Sequence, residues 1–146
     1  MKIKLKNILQ TTTSSSSSSS PSFSALERLS AAVKVVQENR GNDIVVLDVR
    51  ELTKAFDYFL IVSGTSRRQL NSMGDEIQKK LVGEMEDECL SVSGYKESRW
   101  IVIDYGDIIV HLFEPETRNF YAIEELWGKA IKIPLDSPLL NCTILV

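Results

Sequence analysis

An α/β domain, built on a mixed β-sheet with flanking helices, is the fold class this 146-residue chain predicts, and three observations predict it. Two capping boxes, Ser24-x-x-Glu27 and Ser66-x-x-Gln69, each open a run of apolar residues at helical spacing. Two continuous apolar runs, Ile44–Leu47 and Tyr58–Val62, read as strands covered on both faces. Two further runs rich in β-branched and aromatic residues, Trp100–Asp104 and Asp107–Phe113, flank Tyr105-Gly106. Helix and strand alternate first and a meander follows, which is the order of a mixed sheet.

Taken in sequence order, the first helix carries Leu26, Leu29, Val33 and Val36 on one stripe and stops at Gly41. The second carries Leu70, Met73, Ile77 and Leu81. Cys89–Val92 is a weaker strand, and Phe120, Ile123, Leu126 and Trp127 share the spacing of one short final helix packed on the core. No internal repeat is visible.

Three segments are expected: residues 1–22, a disordered Ser/Thr-rich tail; residues 23–133, the folded domain; and residues 134–146, a C-terminal tail beginning with Pro134. The first alternates Lys2, Lys4 and Lys6 with Ile3 and Leu5, then runs in hydroxyl side chains from Thr11 to Ser20. So little apolar surface does not offset the entropy of ordering a backbone. The same acid-free stretch also suits an organelle transit peptide, although it has no Arg, so the cytoplasm is the expected compartment and a mitochondrion or plastid the alternative.

Composition narrows the function. Apolar residues make up 43% and charged residues 25%, the balance of a globular chain with a real core. Seventeen Lys and Arg face twenty Asp and Glu, a net charge of −3 that offers no footprint for a phosphate backbone and suits a basic protein partner better. Cys89 and Cys142 are too few and too far apart for a zinc cluster and read as free thiols. No apolar run approaches the roughly 20 residues of a membrane-spanning helix.

Asp104-Tyr-Gly-Asp-Ile-Ile-Val-His111 gathers two acids and the single histidine of the chain. With Tyr105-Gly106 as a two-residue hairpin loop, Asp104 faces Asp107, Val102 faces Ile109 and Trp100 faces His111. Alternation puts Ile101, Ile103, Ile108, Val110 and Leu112 on a core face; Trp100, Val102, Asp104, Asp107, Ile109, His111 and Phe113 share the opposite, outward face. Asp107 and His111 then stand roughly 13 Å apart at about 3.3 Å per residue, beyond the reach of an acid–base pair. Two acids beside a tight turn are ordinary turn chemistry, and a half-buried structural role is the default for His111. Ser63-Gly64-Thr65-Ser66 resembles a phosphate-cradling turn but has neither established glycine pattern, and Asp75 and Glu76 diverge by about 100° on their helix.

Four segments, Asp57-Tyr-Phe59, Ser63-Gly-Thr-Ser-Arg-Arg-Gln69, Trp100 to His111, and Arg118-Asn-Phe-Tyr-Ala-Ile-Glu-Glu-Leu-Trp127, resemble in order and spacing the signature segments of the ribosomal silencing factors, also called the Iojap family. The resemblance runs from about Phe23 to Ala130. It implies a fold related to nucleotidyltransferases without their catalytic acids, no enzyme activity, and neither metal nor cofactor. It further implies binding to a protein on the intersubunit face of the large ribosomal subunit, which blocks subunit joining and restrains translation when nutrients are scarce. Carried over residue by residue, Trp100, Asp104, Asp107 and His111 are expected partner contacts, with Tyr105 at the hairpin tip. Arg118 and Tyr121 match as well, either as contacts or as ties between the last helix and the sheet. Ser93-Gly94 departs from the family's usual Glu-Gly. A homodimer is compatible with this reading; the alternative function is a metal-dependent nucleotidyltransferase using the Gly64 turn.

Overall fold

The computed structural model describes residues 23–141. The expected tail over 1–22 and Cys142 lie outside the described residues. Helix α1 spans Ala25–Glu38 and opens with the expected box: Glu27 N–H donates to Ser24 Oγ at 3.1 Å and Ser24 N–H to Glu27 Oε1 at 2.9 Å. Its left-handed turn falls on Arg40 (φ 61°) and not on Gly41. Gly41 is required for a different reason, since an added Cβ would sit 2.5 Å from Val62 Cγ1.

Six strands follow the order β3-β4-β5-β2-β1-β6, with β1 over Asn42–Asp48, β2 over Tyr58–Ser63, β3 over Ser91–Ser93, β4 over Trp100–Asp104, β5 over Ile108–Phe113 and β6 over Ile131–Lys132. The central pair β2–β5 is parallel and the other pairs are antiparallel, so the sheet is mixed as predicted. Helix α2 (Arg67–Gln78) runs on into a wider π-helical turn, Lys79–Glu84, which keeps Leu81 buried.

Two apolar layers result. Alternation along β2 sends Tyr58, Leu60 and Val62 to the layer under α1 and α2, and Phe59 and Ile61 to the layer on the opposite face. The second layer is closed by Ile123 and Trp127, not by a single helix. Helix α3 (Pro115–Tyr121) stops where Ala122 takes a left-handed conformation (φ 44°), and α4 (Ile123–Leu126) restarts in a new direction. This break corrects the expectation of one continuous final helix.

The chain beyond Pro134 also departs from expectation. Helix α5 (Pro138–Asn141) packs on α1 and buries Leu140, so residues 134–141 contribute to the core and are not a free tail.

The β4–β5 hairpin turns one residue later than predicted, with the Tyr105 N–H donating to the Ile108 carbonyl at 2.9 Å across Gly106-Asp107. Trp100 pairs with Phe113, Val102 with His111 and Asp104 with Ile109, two residues away from the expected register. Asp104 Oδ1 accepts the Gly106 N–H at 2.7 Å inside the turn, and the Asp107 carbonyl accepts the amides of Asp57 and Tyr58 at 2.8 and 3.0 Å. Asp107 therefore serves β2 and leaves the hairpin ladder. A shift of two residues preserves side-chain parity, so the predicted faces survive the wrong register within the paired strands, while Asp107, outside the ladder, leaves its predicted face for Arg28.

Candidate functional site

The ribbon face expected to point outward is largely covered. Asp104, Tyr105 and His111 are buried, Trp100 is half-buried, and Asp107 turns to the other side of the sheet. Tyr105 belongs to the layer under α1, where burial pushes its phenol up from the usual range. Asp107 accepts from Arg28 Nη1 at 3.0 Å and from Nη2 at 2.5 Å, and Asp87 accepts from Nη1 at 2.8 Å. Burial and the neighbouring charge of Asp107 push the Asp57 carboxyl up. The two motif acids thus do not converge with His111.

What covers the ribbon is a ladder of rings running from core to surface. Phe59 meets Trp127 and His111 edge-on at 5.0 and 5.2 Å between centroids. Trp100 stacks on Phe113 at 4.7 Å and abuts Tyr121 at 4.8 Å, and Tyr121 meets Phe120 at 5.0 Å. The indole Nε1–H of Trp100 donates to His111 Nδ1 at 3.1 Å.

Arg118 anchors the outer rungs. It is buried, donating through Nη1 to Ser63 Oγ at the end of β2 (2.8 Å) and through Nε to Glu124 Oε2 on α4 (2.6 Å). Of the two roles weighed for this residue, the tie to the sheet is the one its geometry serves. A charge-assisted bond to a buried hydroxyl is worth more than a surface pair.

At its outer end the ladder opens into a cleft of about 650 Å³ lined by Trp100, Phe120 and Tyr121 together with Glu97, Arg99 and Glu116. Phe120 is 80% exposed, which corrects its expected place in the core, and Leu126 is 76% exposed. Trp127 does pack on the core.

The Gly64 turn is committed to structure. Ser66 Oγ accepts from Gln69 N–H at 3.1 Å, and Gln69 Oε1 accepts from Thr65 N–H at 2.7 Å. Gln69 Nε2 donates to the carbonyls of Asn39 and Arg40 at 2.9 and 3.0 Å. This glutamine clamps the end of α1 to the start of α2 and does not return to its own cap. Among the described residues no three His, Cys, Asp or Glu side chains gather to hold a metal ion, and no helix is long and apolar enough to cross a membrane.

His111 makes a pH prediction. Burial pushes its imidazole down to about 3. The unfolded chain therefore takes up a proton near pH 6.5, before the native state does, and stability is full above that value and lost as pH falls toward 3. Between pH 7.5 and pH 5 the protein should lose about 2 kcal/mol relative to a His111→Asn variant, checked by urea melts of both at the two pH values.

Fold and site together define a small mixed-sheet α/β domain with a closed core and an aromatic cleft on its surface. A sequence profile described as "Ribosomal silencing factor during starvation" matches residues 22–143. The ribosomal silencing factor RsfS of Bacillus subtilis is 35% identical over 108 residues, 74% of this chain and 91% of that protein. The mouse protein named "Mitochondrial assembly of ribosomal large subunit protein 1" is 34% identical over 97 residues, 65% of this chain and 42% of its own longer length. A crystal structure of a Chromobacterium violaceum protein superposes with a TM-score of 0.70 at 28% identity, covering 84% of this chain and 99% of that one. The chain belongs to the ribosomal silencing factor family.

Proposed function

We propose that this protein restrains translation without catalysis, by docking on a protein of the large ribosomal subunit at its intersubunit face and holding the small subunit away by bulk. The observation that carries the reading is the exposed pair Phe120 and Tyr121 beside half-buried Trp100 in a cleft that charged side chains also line. Large aromatics in a concave, partly dehydrated setting are the usual anchors of protein interfaces, and charged rim groups set orientation. A folded domain of about 100 residues has a radius of gyration near 13 Å, enough to separate two apposed surfaces. The name of the mouse relative, which refers to the large ribosomal subunit, and the family's description by silencing during starvation support the same reading.

Of the expected contact residues, Trp100 and Tyr121 stand at the cleft, while Asp104, Tyr105, Asp107, His111 and Arg118 support it or other parts of the fold from within. The compartment in this reading is the cytoplasm, with an organelle as the alternative suggested by the mitochondrial relative.

Phe120→Asp should weaken co-sedimentation with purified large subunits by at least about 30-fold, the loss of a 2 kcal/mol anchor, and abolish inhibition of subunit joining. Its melting temperature should stay within a few degrees of wild type, because the ring is already in water. Undiminished binding by this variant would move the docking surface elsewhere.

A further inference from the structure

Resting on that docking reading, we infer that His111 is a positioning residue for the cleft: its Nδ1 holds the Trp100 indole in place as a wall of the cleft, and its imidazole never touches the partner.

The histidine is an expensive choice where it sits. It is 6% exposed, among Phe59, Phe113 and Trp100. Because Nδ1 accepts the indole hydrogen at 3.1 Å, the neutral ring must carry its own proton on Nε2. That Nε2 is buried without a hydrogen-bond partner. A leucine would fill this layer with no polar atom to desolvate. What leucine cannot do is accept a hydrogen bond, so the unpaired Nε2–H is the cost of keeping an acceptor at Nδ1.

Trp100 shows what the acceptor achieves. Stacking on Phe113 and contact with Tyr121 fix the plane of the indole, but stacking alone permits the ring to flip end for end about χ2. The bond to Nδ1 selects one orientation, with the N–H directed at the buried His111. An anchor held in one orientation before docking loses less freedom on binding, which is how a buried residue can set the affinity of a surface it does not reach.

Two substitutions separate this role from simple core filling. Asn places an amide oxygen near the position of Nδ1, whereas Leu fills the space and accepts nothing. Hydrogen exchange of the Trp100 indole N–H, followed by ¹⁵N NMR and assigned with Trp100→Phe, reads the bond directly; co-sedimentation with large subunits reads docking.

In His111→Leu the indole proton should exchange at least about tenfold faster and subunit affinity should fall about tenfold, with a melting temperature no lower than wild type at neutral pH. His111→Asn should recover both. Trp100→Phe, which removes the donor and leaves a smaller aromatic ring, should lose affinity by itself, and His111→Leu added to it should cost nothing further. Faster exchange with unchanged affinity would overturn the inference, and so would additive losses in the double variant. Wild-type protein that fails to sediment with large subunits would sink the docking reading and this inference with it, whereas equal binding by wild type and both His111 variants would sink this inference alone.

Discussion

Replacing Arg28 with methionine should cost about 3–5 kcal/mol of folding stability, the largest loss expected for any single side chain outside the apolar core. Arg28 lies on α1 with its side chain 4% exposed, between Asp87 at 9% and Asp107 at 31%. Removing the cation leaves Asp87 buried beside a hydrocarbon, and that carboxylate must either stay charged at a high desolvation cost or take up a proton. The partly wet Asp107 contributes less, because solvent screens it. The same guanidinium also bridges α1, the segment after α2 and the turn before β5, so its loss loosens three elements at once. Urea melts at pH 7 provide the measurement. Pairing Arg28→Met with Asp87→Asn should recover part of the loss, since the second change removes the orphaned charge; a single variant within 1 kcal/mol of wild type would contradict the account.

Gly94→Ala should be nearly as damaging, at about 3 kcal/mol or more. Gly94 has φ +92°, where a side chain already strains the backbone by about 1–3 kcal/mol. Its backbone also passes so close to β4 that an added Cβ would lie 1.9 Å from the Trp100 carbonyl oxygen and 3.1 Å from Ile101 Cα. Neither is the end of a flexible side chain, so the β3–β4 connection itself must move. Displacement of the Trp100 backbone would also disturb the cleft, and subunit binding should fall along with the melting temperature. The identity of residue 93 leaves this requirement intact because the constraint belongs to the glycine. Normal stability in Gly94→Ala would mean that the turn has another accessible conformation.

These two sites also show where reading the chain succeeded and where it failed. The glycine belonged to a recognisable Ser93-Gly94 pair ahead of a strand, and the strand was legible from its β-branched run. Arg28 was invisible: an arginine on an amphipathic helix reads as solvated until its carboxylate partners, 59 and 79 positions away, are brought to it. His111 fell between these cases. Its burial follows from its place on an apolar strand, but its bond to Trp100 is a diagonal contact that the predicted register had made a direct pairing. Ala122 gave no warning at all, and its left-handed turn is what separates α3 from α4.

By itself, the order of residues determined the two long helices, the five longer strands, the mixed sheet and which side chains within the strands share a face, because caps and alternation are local properties that a two-residue slip cannot invert. Tertiary structure alone decided which of those faces meets water. That depends on how α3 and α4 fold back over the ribbon, held by Arg118 between Ser63 and Glu124, and contacts between residues distant in the chain leave no periodic trace in it. The aromatic cleft is the consequence, with Phe120 at its lip and His111 behind its wall.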